Sequence, residues 1–299
     1  MMGAFDEKLK IRAEEAENII AKYIPKPDGH NNHLLDAMSY SLLAGGKRLR
    51  PILMKSFFNL FCGKSDAVMP FMAAMEMLHT YSLVHDDLPA IDNDDYRRGL
   101  ETTHKKYGEA VAVLAGDGLL HSAHEVVLEA FGMTEDTKVI DALKIFSCKT
   151  GINGMLGGQS VDVFSTGSVV SDDTMAYIYE KKTGALIEGS MMVGAALAGA
   201  SHEDIDKVER IGACVGMAFQ IEDDILDLYG DAAVLGKPIN SDTKNNKKTY
   251  LSVHGLEKSR ADIIKLTEEA VTLLDCLGNN DEERDFIKDL FDYMVIRSK

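Results

Sequence analysis

The chain has 299 residues, of which 45% are hydrophobic and six are proline, so it can bury a large core and is a poor candidate for extensive disorder. Its 32 Lys and Arg against 48 Asp and Glu leave a formal net charge of −16, which argues against a general nucleic-acid binder. Any polyanionic ligand must be met by local cations or by metal, because the overall field opposes it.

Helical periodicity begins at once and recurs almost everywhere, while two-residue alternation is scarce. The first ten residues are charged and contain no apolar signal core, so a soluble, cytoplasmic protein is expected. Leu9, Ile19, Ile20, Tyr23 and Ile24 mark one face of an opening helix that Pro25 and Pro27 end. Further helical runs are expected near 32–44, 51–62, 68–88, 104–131, 137–164, 171–200, 202–229, 256–277 and 282–297. All six prolines lie at or near junctions between these runs. The small-residue stretch Gly189 to Ala200 is too short to span a bilayer and suits close helix packing. Cys62, Cys148, Cys214 and Cys276 show no Cys-x-x-Cys spacing and read as buried thiols in a reducing compartment. With no Ser/Gly-rich linker in sight, the expectation is one all-α domain over 1–299, with about ten or more helices around a central cavity.

Two aspartate clusters stand out, Asp86-Asp87-Leu88-Pro89-Ala90-Ile91-Asp92 and Asp223-Asp224-Ile225-Leu226-Asp227. Each follows an apolar stretch. Like charges at helical neighbour spacing repel, by about 0.2–0.5 kcal/mol per exposed pair and more when partly buried. Making the arrangement twice suggests hard cations, since Mg²⁺ prefers carboxylate oxygens. In the second cluster Asp223 and Asp227 are four apart and share a helix face, with Asp224 beside them and Gln220 on the same stripe. Ile221, Ile225 and Leu228 supply the packing side. In the first cluster Asp86 and Asp92 are six apart, which a straight helix would set on opposing sides. Pro89 lies between them and is expected to bend the chain so that Asp92 swings back.

Basic groups accompany these clusters. Gly45-Gly46-Lys47-Arg48-Leu49-Arg50-Pro51 places three cations at a helix start, where the macrodipole disfavours them unless an anion is shared. Arg97-Arg98-Gly99 and Lys181-Lys182-Thr183-Gly184 repeat the theme, and together they favour two phosphorylated ligands. Gly230 to Gly236-Lys237-Pro238 fails as a P-loop. The glycines are one residue too far apart, Pro238 stands where Ser or Thr is needed, and no strand precedes it.

In GGKRLRP (45–51), HTYSLVHDDLPAIDNDDYRRG (79–99), VLAGD (113–117), GGQSVD (157–162), KTGALI (182–187), FQIEDDILD (219–227) and GKP (236–238), the chain resembles the trans-isoprenyl diphosphate synthases. Among them it looks most like the bacterial farnesyl diphosphate synthases. The resemblance implies an all-α isoprenoid synthase fold, a homodimer, and condensation of isopentenyl diphosphate with an allylic diphosphate. It implies Mg²⁺, three ions when substrate is bound, held by Asp86 and Asp92 with Asp87 supporting, and by Asp223 and Asp227. Arg97, Lys182 and Lys237, with Thr183 and Gln220, would hold the allylic diphosphate. Lys47, Arg50, His79 and Arg98 would hold isopentenyl diphosphate, with Gln159 and Phe219 shaping the region between. Asp86, Asp87, Asp92, Lys182 and Asp223 are the implied catalytic groups. Lys247 would touch diphosphate, although Asn246-Lys247-Lys248-Thr249-Tyr250-Leu251 departs from the family's Gly-Lys-x-Thr-Tyr-Pro.

Tyr81 precedes Asp86 by five residues, about 7.5 Å along a helix at 1.5 Å per residue. In the bacterial farnesyl synthases an aromatic there resembles a floor that stops the growing chain, and the small Ser82 leaves Tyr81 as the stop. Geranylgeranyl diphosphate synthesis is the competing activity. A non-catalytic subunit of a prenyl synthase would tolerate loss of acidic ligands, and all are present. A terpene cyclase would lack the isopentenyl site suggested by Lys47, Arg50 and His79.

Overall fold

The computed structural model describes residues 3–27, 29–168, 170–229 and 248–295. The described residues are almost entirely helical, and the expected all-α class holds. The chain falls into two compact units, Met1–Lys55 with Ser65–Val139, and Ser56–Lys64 with Ile140–Lys299.

The first unit contains α1 (Ala4–Lys22), α2 (Asn32–Leu42), the start of α3 (Leu49–Leu60), α4 (Val68–Asp86), α5 (Thr103–Tyr107) and α6 (Glu109–Val127). From Val68 to Leu78 α4 is apolar on every side, apart from Glu76, and Phe71, Met72 and Met75 are buried; this is the pattern of an interior helix. α6 packs beside it through small residues. A Cβ on Gly116 would lie 2.1 Å from His85 Nε2, and one on Gly118 would lie 2.7 Å from Met38 Sδ. By length and composition Glu109–Ala130 is apolar enough to cross a bilayer, but these contacts are those of a helix packed within the unit. The run expected over 104–131 is divided at Gly108, whose φ of +86° suits glycine and ends α5. Sequence periodicity also missed a two-stranded hairpin, β1 (Tyr96–Arg97) with β2 (Leu100–Glu101).

The second unit contains α7 (Asp136–Thr150) from Ile140 onward, α8 (Met155–Ser165), α9 (Asp172–Ile178), α10 (Ala185–Ala198), α11 (His202–Tyr229), α12 (Tyr250–His254), α13 (Leu256–Leu274) and α14 (Asp281–Val295). The run expected over 137–164 breaks between α7 and α8, where a Cβ on Gly154 would lie 2.1 Å from the Lys149 carbonyl oxygen. The run over 171–200 contains a π-helical turn, Tyr179–Gly184, between α9 and α10. α10 lies close against α11: a Cβ on Gly212 would meet the Glu188 Cα at 2.7 Å. The short α12 was not expected from sequence; Thr249 caps it by accepting the Ser252 N–H at 3.2 Å. Ala218, Ile221, Ile225, Leu251, Ile263 and Val295 form one core cluster of this unit.

Two sequence expectations need correction. Leu228 is 44% exposed, so only Ile221 and Ile225 pack as expected, because the apolar stripe of α11 has turned to solvent by its last residues. All four thiols are free, but Cys214 alone is buried, where burial pushes its pKa up to about 11; Cys62, Cys148 and Cys276 are exposed near the ends of helices.

Candidate active site

In the first unit α4 ends at Asp86, and the chain then folds back on itself. The Leu88 N–H donates to the His85 carbonyl at 3.2 Å, and the Asp92 N–H donates to the Asp86 carbonyl at 2.9 Å. The bend expected at Pro89 is present, and it brings the Asp86 and Asp92 backbones into contact. Asp86 and Asp87 are buried, whereas Asp92 is exposed. Asp87 faces Arg97, whose Nε donates to its two carboxylate oxygens at 2.7 and 2.9 Å and whose second nitrogen donates at 2.6 Å. Burial raises the Asp87 pKa, against the lowering effect of Arg97. Burial also opposes the charge on Arg97, but Asp87, Asp94 and Asp86 carry its pKa upward.

The hairpin explains how adjacent arginines reach different targets. Pairing of Arg97 with Leu100 leaves Arg98 and Gly99 as a two-residue loop, both with positive φ, +53° and +77°. Arg97 turns to Asp87, while Arg98 donates to the Gly45 carbonyl. Gly46 has φ +131°, and a Cβ there would lie 3.0 Å from the Arg98 guanidinium carbon, so glycine is needed for both shape and space.

The three-cation reading of the Gly45–Pro51 segment needs correction. Arg48 is buried and donates to Glu76 Oε1 at 2.8 Å and to the Leu42 carbonyl at 2.9 Å. Arg48 therefore braces the loop from inside, leaving Lys47 exposed and Arg50 half-buried. His79 is half-buried, and its pKa is held well below 6.5, first by burial and then by Arg50, Arg98, Arg97 and Arg48. The imidazole is thus a neutral hydrogen-bonding group within a cationic patch. Tyr81 is 5% exposed, meets His85 edge to face at 5.8 Å, and has its pKa raised to about 12 by burial and by Asp86. Ser82 donates to the His79 carbonyl at 2.8 Å.

In the second unit one cavity of about 140 Å³ is lined by Asp162, Tyr179, Lys182, Thr183, Gln220 and Asp224 among others. Lys182 Nζ donates to Asp162 Oδ2 at 2.7 Å, and Thr183 Oγ1 donates to Gln220 Oε1 at 2.8 Å. Gly158 makes this approach possible, since a Cβ there would lie 2.2 Å from the Lys182 backbone nitrogen. Asp223 and Asp227 lie four apart on the unbroken α11, the first half-buried and the second buried. Phe219 is half-buried on the same helix, and Gln159 sits on α8. Lys237 and Lys247 lie outside the described residues. Lys248, which sequence reasoning passed over, lines the cavity and donates to Asp172 at 2.7 Å. Asp162 was also missed, although it ends the quoted GGQSVD segment.

No group of three or more His, Cys, Asp or Glu among the described residues gathers tightly enough to hold a metal alone. Each unit instead offers two aspartates of one short motif. All-oxygen pairs suit Mg²⁺, which keeps several waters and takes its remaining ligands from substrate phosphates. The donor set therefore fits Mg²⁺ carried with a diphosphate.

Residues 31–294 match the family model described as polyprenyl synthetase. A farnesyl diphosphate synthase of Micrococcus luteus is 38% identical over 283 residues, covering 95% of this chain and 94% of that protein. A chloroplastic geranylgeranyl pyrophosphate synthase of Capsicum annuum is 42% identical over 236 residues, 79% of this chain, and the match spans 64% of that protein's length. Among solved structures, an FPP/GFPP synthase from Zymomonas mobilis superposes with a TM-score of 0.85 at 32% identity, covering 97% of this chain and 98% of that one.

Proposed function

The chain belongs to the polyprenyl synthetase family, and we propose that it condenses isopentenyl diphosphate with dimethylallyl or geranyl diphosphate to give (2E,6E)-farnesyl diphosphate. The observation that carries the C15 product is Tyr81, buried on α4 five residues before Asp86. Five residues at 1.5 Å each set it about 7.5 Å below the first aspartate along the helix, and in this reading its buried ring is the stop for the lengthening hydrocarbon. The Capsicum annuum relative supports a second reading, a C20 product.

Asp86 and Asp92, and Asp223 with Asp227, are the residues that would hold Mg²⁺, which when bound supplies positive charge to the departing diphosphate. Arg97, Lys182, Thr183, Gln220 and Lys237 bind the allylic diphosphate, and Lys247 adds a further cation. Arg97 already makes a bidentate contact to Asp87, Nε to one carboxylate oxygen and a second nitrogen to the other, that a phosphate would rival in geometry. Lys47, Arg50, Arg98 and neutral His79 bind isopentenyl diphosphate, and Gln159 and Phe219 shape the space between the two substrates. Preset cations cost little reorganisation when charge builds on the leaving group, so they lower the barrier to the allylic cation. The isopentenyl double bond then attacks that cation, and the released diphosphate takes up the proton whose loss completes the trans double bond.

Further parts of the reading are a single domain over 1–299, supported by one family match running from 31 to 294, a homodimer, and a cytoplasmic location. Sizing the products formed from Mg²⁺, isopentenyl diphosphate and each allylic primer tests the activity. A C15 end product is expected; a C20 product would favour the second reading, and no chain growth would refute both.

A further inference from the structure

Asp224 sits beside Asp223 in the sequence, but the fold gives it other partners. It is 4% exposed, and its Oδ2 accepts from the Tyr179 hydroxyl at 2.6 Å and from the Tyr250 backbone N–H at 2.9 Å. The same N–H lies 3.2 Å from the Tyr179 hydroxyl oxygen. Three elements thus meet at one carboxylate: α11, the first residue of the π-turn, and the first residue of α12.

We propose that Tyr179 and Asp224 are positioning residues for the allylic diphosphate, which pin the π-turn to α11 and so set the aim of Lys182 and Thr183. The inference rests on the reading of those two side chains as diphosphate contacts. A π-turn is rare inside a helix and is frequent at functional sites, so what it packs against bears on function. Here the surroundings are three consecutive positions on one stripe of α11. Gly216 admits the π-turn's last residue, since a Cβ on it would lie 2.8 Å from the Gly184 Cα. Gln220 accepts from Thr183 at 2.8 Å, and Asp224 accepts from Tyr179. The spacing of four between Gly216, Gln220 and Asp224 keeps all three facing the same neighbour. Asp223 and Asp227 also lie four apart but on the stripe next to it, so the adjacent aspartates of one motif do different work. Asp224 holds the protein's own turn, whereas Asp223 and Asp227 are the pair that the proposed function assigns to Mg²⁺.

Tyr179→Phe removes only the hydroxyl. In the full chain it is expected to raise the allylic KM, and the Kd of inorganic diphosphate with Mg²⁺ by calorimetry, by about tenfold, while the isopentenyl diphosphate KM stays within about twofold. Asp224→Ala should reproduce that split. Asp224→Asn keeps an acceptor oxygen and should recover most of the loss with the same Mg²⁺ half-saturation as the unmutated chain. Wild-type allylic KM and diphosphate affinity in Tyr179→Phe would overturn the inference, as would equal weakening of both substrates, which is what a merely structural role predicts. A large rise in Mg²⁺ half-saturation for Asp224→Asn would overturn it too, by making Asp224 a metal ligand. If the unmutated chain binds no diphosphate, both the inference and the reading beneath it fall; a normal wild type with an unaffected Tyr179→Phe removes the inference alone.

Discussion

The Asp92 N–H donates to the Asp86 carbonyl at 2.9 Å, closing the turn through Pro89 that returns the last aspartate of the first motif to the end of α4. This contact joins the backbones of two residues that a straight helix would set on opposing sides. Asp86→Ala should therefore lower kcat by about 10²-fold or more at saturating Mg²⁺, the range seen on removing one group that stabilises developing charge. Steady-state turnover of isopentenyl and geranyl diphosphates checks this, and near-normal activity would remove Asp86 from the metal set.

Tyr81 is buried, and its ring meets His85 edge to face. Tyr81→Ala should open the space below Asp86 and shift the end product from C15 to C20 or longer. Chromatography of the dephosphorylated products reads the length directly. A variant that still releases only C15 would show that the stop lies elsewhere.

Arg48 and Glu76 form an ion pair with side-chain exposures of 0% and 3%. Removing one partner leaves the other charge buried without compensation, so Arg48→Ala should cost about 3–5 kcal/mol of stability. Urea denaturation measures this. A loss below about 1 kcal/mol, the range of an exposed pair, would mean that water reaches Glu76.

His79 has its pKa lowered first by burial and then by four arginines. The unfolded chain takes up a proton near pH 6.5 and the folded chain only at lower pH. Stability should therefore rise with pH up to about 6.5 and level off above it, on account of this group. Urea midpoints of the wild type and His79→Gln, compared from pH 5 to 8, isolate the effect. An imidazole NMR titration with a midpoint at or above 6.5 would contradict the assignment.

Much of the molecule was legible in the sequence. Helical periodicity with prolines at the junctions announced the all-α class, and Pro89 announced the return of Asp92. The breaks within long helical runs were less visible. Gly108 and Gly154 look in sequence like ordinary small residues of a helix; at Gly108 it is the positive φ, and at Gly154 the nearby Lys149 carbonyl, that shows the chain has turned. The hairpin at 96–101 has two residues per strand, too few to display alternation.

What the sequence determined by itself was which chemistry is present: paired aspartates, clustered cations, a family motif order, and an aromatic five residues before Asp86. What only the tertiary structure decided was how neighbouring charged residues divide their work. Arg48 turns inward to Glu76 while Lys47 faces solvent; Arg97 takes Asp87 while Arg98 takes the Gly45 carbonyl; Asp224 takes Tyr179 beside Asp223. Adjacent residues project in different directions from any helix or hairpin, so a doublet must divide. Which member is drawn in depends on partners distant in sequence, such as Glu76 for Arg48 and Tyr179 for Asp224, and folding alone brings those within reach.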